Sequence, residues 1–311
     1  MTTTVSATAG PESSLLRVHP LTPRIGAEIS GVDLAAEVSD EDIAEIRAAL
    51  LRHRVIFFRR QQLDIAQQTA FAKRFGDVTI GHPTVPGPDG LPEVFELDSL
   101  SGARADHWHT DVTFTDRPPT LSVLRAVVIP PLGGDTLWAN TVAAYNDLPA
   151  SMQSFVDGLR AVHTNAYDYA NPKHYTDEAR RRHLEIFTST VFETEHPIVR
   201  IHPETNERAL LLGGFAHRIV GLAPNEGHEL LRILSDRVTR PDNTVRWRWQ
   251  EGDVAVWDNR ATQHYAINDY GENRRIVQRV TVAGSIPIGL DGRVSQALVG
   301  DAEFYSVIGA E

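Results

Sequence analysis

The sequence predicts a mainly β fold with flanking helices, arranged as an antiparallel double sheet or jelly roll. Two helical patterns lie near the N-terminus, many short apolar runs follow them, and one helical insertion interrupts the runs. The regular strand–helix alternation of a doubly wound parallel sheet is absent, and so is a glycine-rich dinucleotide turn. The order of the elements therefore favours two packed antiparallel sheets.

Capping residues and apolar spacing indicate the helices. Ser39 precedes three acidic residues, which is a typical helix start, and the pattern continues to about His53. Apolar residues at helical spacing predict a second helix over 63–76. Further helical patterns cover roughly 141–161 and 225–238.

Short apolar runs divided by proline and glycine predict the strands. The candidates are residues 54–59, 94–97, 112–114, 121–129, 135–140, 197–203, 209–214, 245–250, 253–259 and 275–284. A long polar stretch, 164–195, is typical of a lid or binding loop when it lies inside a compact domain. We expect residues 15–311 to form one domain behind a disordered tail over 1–14.

The composition narrows the possible chemistry. The 311-residue chain contains no cysteine, which excludes disulfides, zinc–thiolate sites, iron–sulfur clusters and cysteine nucleophiles. A metal must therefore bind to His, Asp or Glu. A formal charge of −11 disfavours nucleic acid and anionic lipid as partners. No run is apolar enough for a membrane span, and the N-terminus lacks the features of a signal peptide, so a cytoplasmic location is expected.

The densest group of chemically active residues is His107-Trp-His109-Thr-Asp111. On a strand, residues two apart face the same side, so His109 and Asp111 could direct an imidazole and a carboxylate to one point. A distant histidine would complete the two-His, one-carboxylate face of non-haem Fe(II) oxygenases. Among 13 histidines this spacing also arises by chance, and a solvated strand pair is the alternative. His107 lies on the same face but is not spaced to Asp111 as His109 is.

His264 is the distant candidate, because it follows an apolar strand and a polar turn; a surface-loop histidine is the alternative. Arg275 and Arg279 lie four apart in a strand pattern and so share a face. An arginine in an apolar strand is costly without an anionic partner. The two arginines therefore indicate either anionic ligands or a pair of buried salt bridges.

Four segments in this order, HWHTDVTF, GGDTLWAN, WDNRATQH and RRIVQR, resemble the taurine dioxygenase family of Fe(II)/2-oxoglutarate oxygenases. The resemblance extends from about Val18 to Gly284. It implies a double-stranded β-helix of the cupin-like type, with Fe(II), 2-oxoglutarate and O2 as cofactor and co-substrates. The residues that it implies are His109, Asp111 and His264 for iron, Thr136, Arg275 and Arg279 for 2-oxoglutarate, and His82, Val112 and Arg279 for the substrate.

Two positions depart from the taurine enzymes, because Val85 and Ala105 stand where that family has a tyrosine and an asparagine. Loss of these polar groups disfavours a small zwitterion and favours an apolar chain. Together with segments similar to the alkylsulfatase branch, this predicts oxidative cleavage of alkyl sulfate esters. The alternatives are a taurine, alkylsulfonate or carboxylate oxygenase, a hydrolytic zinc enzyme, and a non-catalytic metal- or anion-binding protein. The resemblance also implies a homo-oligomer, a dimer or a tetramer.

Overall fold

The computed structural model describes residues 16–166 and 178–306. Within these ranges the chain forms sixteen strands and seven α-helices. In chain order they are β1 (Arg17–Pro20), β2 (Ala27–Ser30), α1 (Asp40–His53), β3 (Val55–Phe58), α2 (Ile65–Lys73), β4 (Val94–Asp98), β5 (Leu121–Val128), β6 (Thr136–Asn140), α3 (Thr141–Asn146), α4 (Ala150–Val156), β7 (Arg160–Thr164), α5 (Glu178–Phe187), β8 (Glu193–Pro197), β9 (Val199–Ile201), β10 (Arg208–Leu210), β11 (Ala216–Ile219), α6 (Pro224–Val238), β12 (Thr244–Trp247), β13 (Val254–Asp258), β14 (Thr262–Ala266), β15 (Ile276–Val282), β16 (Gln296–Val299) and α7 (Glu303–Ser306).

The described strands form four sheets. The largest has seven strands in the order β1-β2-β3-β13-β5-β15-β4, and its pairs are antiparallel except for β2 with β3. A three-stranded sheet, β12-β6-β14, packs against it. The other two sheets have the orders β11-β7-β8-β16 and β10-β9.

Side-chain alternation along the strands separates two cores. On β3, Phe57 faces the small sheet, where its ring stacks on Trp247 at 4.1 Å and meets Trp138 edge-on at 5.2 Å. Ile56 and Phe58 point to the opposite face, which α1 and α2 cover. This period-two pattern, with both faces buried, explains why the central strands are continuously apolar.

The mainly β fold with flanking helices is confirmed, and its two facing sheets form a jelly roll. Helix α1 begins as predicted, with the Ser39 hydroxyl accepting from the Asp42 amide at 3.0 Å. The predicted strand at 112–114 is wrong, because these residues form a turn. The single helix expected over 141–161 is instead α3, α4 and the start of β7, since Pro149 ends one helical segment and opens the next.

The expected insertion at 164–195 is only partly covered by the structure. Residues 167–177 lie outside the described ranges, as does the expected tail at 1–14. The remainder contains helix α5 and the first residues of strand β8. No helix in the described ranges combines the length and apolar character needed to cross a membrane.

Two neutral histidines are buried beneath the four-stranded sheet. His163 of β7 and His196 of β8 are fully buried, with ring centroids 4.9 Å apart. The His163 Nδ1 pairs with the Thr113 hydroxyl at 2.9 Å, and the His196 Nε2–H donates to the Thr113 carbonyl oxygen at 2.7 Å. Burial lowers the pKa of His196 well below its ordinary value and that of His163 to about 3. Both imidazoles are therefore neutral in the folded protein at neutral pH.

We expect His163 to make the folded state acid-sensitive. Because its folded pKa lies below its unfolded pKa of about 6.5, only the unfolded chain takes up the proton between those values. The contribution of His163 to the free energy of unfolding is therefore fully present above about pH 6.5. Below that pH it falls by about 1 kcal/mol per pH unit toward pH 3. Urea unfolding from pH 7 to pH 5 should show a shallower pH slope for His163→Gln than for the wild type. His228→Gln, at an exposed site on α6, is the control; equal slopes for all three proteins contradict the assignment.

Candidate functional site

One cavity between the large and small sheets is lined by every residue that the sequence predicts to bind cofactor or substrate. Ala105, one of the two departures from the taurine enzymes, lines it as well. Its lining consists of His82, Phe95, Leu97, Arg104, Ala105, His109, Asp111, Val112, Leu124, Thr136, Trp138, His183, Phe187, Phe215, Trp257, His264, Ala266, Arg275, Val277 and Arg279.

Backbone pairing brings the two proposed imidazole ligands together. His109 forms an isolated antiparallel bridge with His264 of β14. The His109 amide donates to the His264 carbonyl at 3.0 Å, and the His264 amide donates back to the His109 carbonyl at 2.8 Å. Directly paired residues place their side chains on the same face, so both imidazoles enter the cavity.

Asp111 completes the group as the chain turns away from this bridge. In the turn that begins at Asp111, Val112 has a φ of 53°, a left-handed conformation that is costly for a β-branched residue. The Asp111 Oδ1 lies 4.0 Å from the His109 Nε2 and 3.7 Å from the His264 Nε2. One donor atom from each residue lies within 4.8 Å of the others, and all three residues are buried.

The protonation states of these residues suit a divalent cation. The His109 Nδ1–H donates to the His107 carbonyl at 2.9 Å, so Nε2 carries the lone pair that a metal would bind. Burial lowers the pKa of His109 and of His264, so both are neutral. Burial alone raises the pKa of Asp111, but the charge of Arg279 and its other neighbours outweigh that effect and lower it to about 2. Two neutral imidazoles and one carboxylate fit Fe(II) and related first-row metals.

Arg275 carries a buried positive charge without a matching carboxylate. Its side chain is 6% exposed, and its Nε–H donates to the Gly134 carbonyl at 3.1 Å. No Asp or Glu in the described part of the chain forms a salt bridge with it. Since a buried guanidinium is costly without an anion, this end of the cavity is suited to a carboxylate. Thr136 lies on the same cavity wall, and its hydroxyl oxygen accepts the Trp249 indole hydrogen at 2.9 Å.

Arg279 and His82 provide a second group of donors. The Arg279 Nη1 donates to the Asp111 Oδ1, and its guanidinium lies 4.9 Å from the centre of the Phe95 ring. The His82 Nδ1 accepts from the amides of Thr84 and Val85 at 3.2 Å and 3.1 Å. Its proton must therefore be on Nε2, and burial lowers its pKa well below the ordinary value. His82 is therefore a neutral N–H donor, which can donate a hydrogen bond to an anion but carries no positive charge itself.

The surroundings of His82 are aromatic. Its ring lies 5.2 Å from the rings of both Phe95 and Phe187, and Phe215 lines the same cavity. Val85 packs against the buried aromatic cluster beside the cavity. The cavity thus combines charged donors at one side with apolar walls at the other, which fits an amphiphilic anion.

His107 does not belong to the ligand group. Its ring stacks on that of His109 at 4.8 Å, so it packs behind a ligand candidate. No sequence motif identifies His183, Phe187 and Phe215, which line the cavity from α5 and the loop before β11. Only the packing of α5 and of this loop against the sheets brings them to the site.

Known proteins share this fold and much of the sequence. Residues 17–281 match the family described as "Taurine catabolism dioxygenase TauD, TfdA family". An "Alpha-ketoglutarate-dependent sulfate ester dioxygenase" of Pseudomonas putida is 53% identical over 95% of this chain and 98% of its own length. An "Alkylsulfatase" of Acinetobacter baylyi is 52% identical over 89% of this chain and 88% of its own. The crystal structure of a taurine dioxygenase from Burkholderia xenovorans is 43% identical, with a TM-score of 0.79 over 92% of this chain and 96% of that one.

Replacing Asp111 should abolish tight metal binding. Asp111→Ala removes the one carboxylate of the group and leaves two neutral imidazoles, so we expect the Kd for Mn(II) to rise by at least about 100-fold. Calorimetric titration of the metal-free protein measures the change. Asp236→Ala, an exposed carboxylate on α6, is the matched control and should bind Mn(II) as the wild type does. Wild-type affinity in Asp111→Ala would exclude this group as the metal site.

Proposed function

This chain belongs to the taurine catabolism dioxygenase TauD, TfdA family, and we propose that it is the alkylsulfatase type of Fe(II)/2-oxoglutarate-dependent dioxygenase. The observation that carries the proposal is the identity above 50% with a sulfate ester dioxygenase and an alkylsulfatase over most of each chain. The substrate would be an alkyl sulfate ester, and the products would be an aldehyde, inorganic sulfate, succinate and CO2.

The reaction is an oxidation followed by a spontaneous cleavage. Bound Fe(II), together with 2-oxoglutarate and O2, supplies the oxidation that places a hydroxyl group on the carbon bearing the sulfate. The hydroxylated ester then loses sulfate as the C–O bond to the leaving group breaks, and the carbon becomes an aldehyde. Neither of these two reaction steps requires a protein nucleophile, which agrees with the absence of cysteine from the chain.

His109, Asp111 and His264 would hold the iron. Their donor atoms form a two-His, one-carboxylate face, which leaves open positions for the co-substrate and O2. All three side chains are buried, so bulk water competes little for their donor atoms.

Arg275 and Thr136 would bind the carboxylate of 2-oxoglutarate that lies away from the iron. Arg275 offers the uncompensated charge described above, and Thr136 offers a hydroxyl hydrogen because its oxygen is already used as the acceptor for Trp249. Arg279, at the other end of the cavity wall, would contact both the co-substrate and the substrate anion.

His82 and Arg279 would bind the sulfate group. A neutral Nε2–H and a guanidinium provide charge-assisted hydrogen bonds to a monoanion. Val112 and the aromatic rings around His82 would contact the alkyl chain. Val85 and Ala105 add no polar group to these walls, so an ammonium group such as that of taurine would find no partner.

Helix α5 gives the 164–195 insertion a proposed role in substrate binding. It contributes His183 and Phe187 to the cavity lining. We therefore propose that this insertion helps to enclose the alkyl chain, within one domain over residues 15–311.

The oligomeric state and the cellular location are part of the same proposal. We propose a homo-oligomer, either a dimer or a tetramer, in the cytoplasm. Sedimentation equilibrium measures the assembly directly, and a mass equal to one chain would contradict it.

A second candidate is the oxygenation of taurine or an alkylsulfonate, which the 43% identity to a taurine dioxygenase favours. Both reactions use the same iron and co-substrate, but a sulfonate yields sulfite whereas a sulfate ester yields sulfate. Product identity thus separates the two candidates.

A substrate panel should show preference for linear alkyl sulfates. With Fe(II), 2-oxoglutarate and O2, a homologous series of these esters should release sulfate in step with succinate, while taurine should give at least about 10-fold lower kcat/KM, since its ammonium group would be left unpaired. Ion chromatography of sulfate and sulfite measures both products. Sulfate release without O2 would instead support a hydrolytic enzyme, and no succinate above background with any substrate would support a non-catalytic protein.

Arg275 and its neighbour Arg274 form a matched pair for testing the co-substrate site. Arg275→Gln should raise the KM for 2-oxoglutarate by about 10- to 100-fold, because a buried charge-assisted pair is lost. Arg274→Gln should change it by less than about 2-fold, since Arg274 forms a surface salt bridge with Asp98 at 2.8 Å. Initial rates at saturating alkyl sulfate give both constants. Equal effects from the two variants would remove Arg275 from the site.

A further inference from the structure

We infer that Ser122 and Asn259 are positioning residues that fix the Asp111 carboxylate for metal binding. Neither residue lines the cavity; Ser122 donates a hydrogen bond to the proposed ligand Asp111, and Asn259 acts through Ser122. The inference rests on the proposed function, because it assumes that Asp111 binds the iron.

The residues form a continuous chain of hydrogen bonds behind Asp111. The Trp257 indole N–H donates to the Asn259 Oδ1 at 2.9 Å, and the Asn259 Nδ2 donates to the Ser122 hydroxyl at 2.9 Å. The Ser122 hydroxyl then donates to the Asp111 Oδ2 at 2.7 Å. All four side chains are at most 3% exposed, so bulk water does not compete for these bonds.

The donor and acceptor at the two ends fix the direction of every bond. An indole N–H is only a donor, so the Asn259 oxygen must face Trp257 and its amide nitrogen must face Ser122. Because that nitrogen is a donor, the Ser122 oxygen accepts from it, and the single hydroxyl hydrogen is directed to Asp111. A carboxylate, which is only an acceptor, ends the chain. Each group is therefore held in one orientation.

These hydrogen bonds give the two carboxylate oxygens of Asp111 different roles. The Ser122 hydroxyl donates to Oδ2, while Oδ1 accepts from the Arg279 Nη1 and faces the Nε2 atoms of His109 and His264 at 4.0 Å and 3.7 Å. A carboxylate held in this way would offer one oxygen to a metal. Without Ser122, Oδ2 would lose its hydrogen bond, and the carboxylate would no longer be fixed in this orientation.

Sheet pairing explains why these residues meet. Ser122 of β5 lies directly opposite Trp257 of β13 in the antiparallel register, and Asn259 follows two residues later. Ser122 is thus a small polar residue on an inward face that is otherwise apolar, where Leu124 and Ala126 occupy the next positions. A buried hydroxyl at this point is costly unless its hydrogen bonds are made, and both are made here.

Metal binding by the metal-free protein tests the inference without turnover. Ser122→Ala should raise the Kd for Mn(II) by about 10- to 100-fold and change the visible absorption of the Co(II) complex, because the carboxylate loses its orientation. Asn259→Leu keeps the branching at Cγ but removes the amide, so Ser122 is retained without its hydrogen-bond donor and a smaller rise in Kd is expected. Circular dichroism checks folding, and Asn259→Leu decides the outcome if Ser122→Ala does not fold.

Two buried residues outside the site provide matched controls. Ser295→Ala removes a buried hydroxyl that pairs with His196 at 2.6 Å, and Asn243→Leu removes a buried amide that donates to Asn140 and Val238 carbonyls. Both controls should lower stability and leave the Mn(II) affinity unchanged. Wild-type affinity and an unchanged Co(II) spectrum in Ser122→Ala and Asn259→Leu would overturn the positioning role alone. No Mn(II) binding by the wild type would overturn the metal site and, with it, this inference and the proposed function.

Discussion

The reciprocal backbone hydrogen bonds between His109 and His264 hold the site together. They join a loop before β5 to strand β14, and so connect two distant segments of the chain at one point. Because directly paired residues project to the same side, this one contact determines that both imidazoles face the cavity. The chain turns directly after the pair, where Val112 adopts a strained left-handed conformation, and Asp111 lies beside both imidazoles. The surrounding sheets keep this strain in place, as is typical of functional sites.

Charge placement makes the cavity selective for anions. Arg275 and Arg279 are each 6% exposed, yet only Arg279 has an acidic partner among the described residues, and that partner is Asp111. The pair of buried salt bridges considered from the sequence is therefore not what the structure shows. A guanidinium without a carboxylate, beside a neutral His82 donor, leaves capacity for two anions. A dicarboxylate co-substrate and a sulfate ester would use that capacity.

Polar residues behind the proposed ligands hydrogen-bond to the candidate site. The aromatic core between the two sheets contains several indole groups, and the N–H donors of two of them hydrogen-bond to residues at the site. Trp249 orients Thr136, and Trp257 orients Asn259 and, through it, Ser122. The same side chains thus pack the jelly roll and direct the hydrogen bonds of the site. This coupling ties the geometry of the site to the stability of the core.

The sequence by itself determined the fold class, most strand positions and the proposed site residues. Apolar periodicity predicts strands such as β3 and β13 because it reflects burial. The four motifs propose His109, Asp111 and His264 as metal ligands through their resemblance to a known family, and the structure brings these three residues together. Tertiary structure alone decided the contributions of Ser122 and His183. Ser122 reaches Asp111 only through the register of β5 on β13, and His183 reaches the cavity only through the packing of α5. Such contacts join residues that are distant in sequence and carry no local pattern, so only the folded arrangement of sheets and helices specifies them.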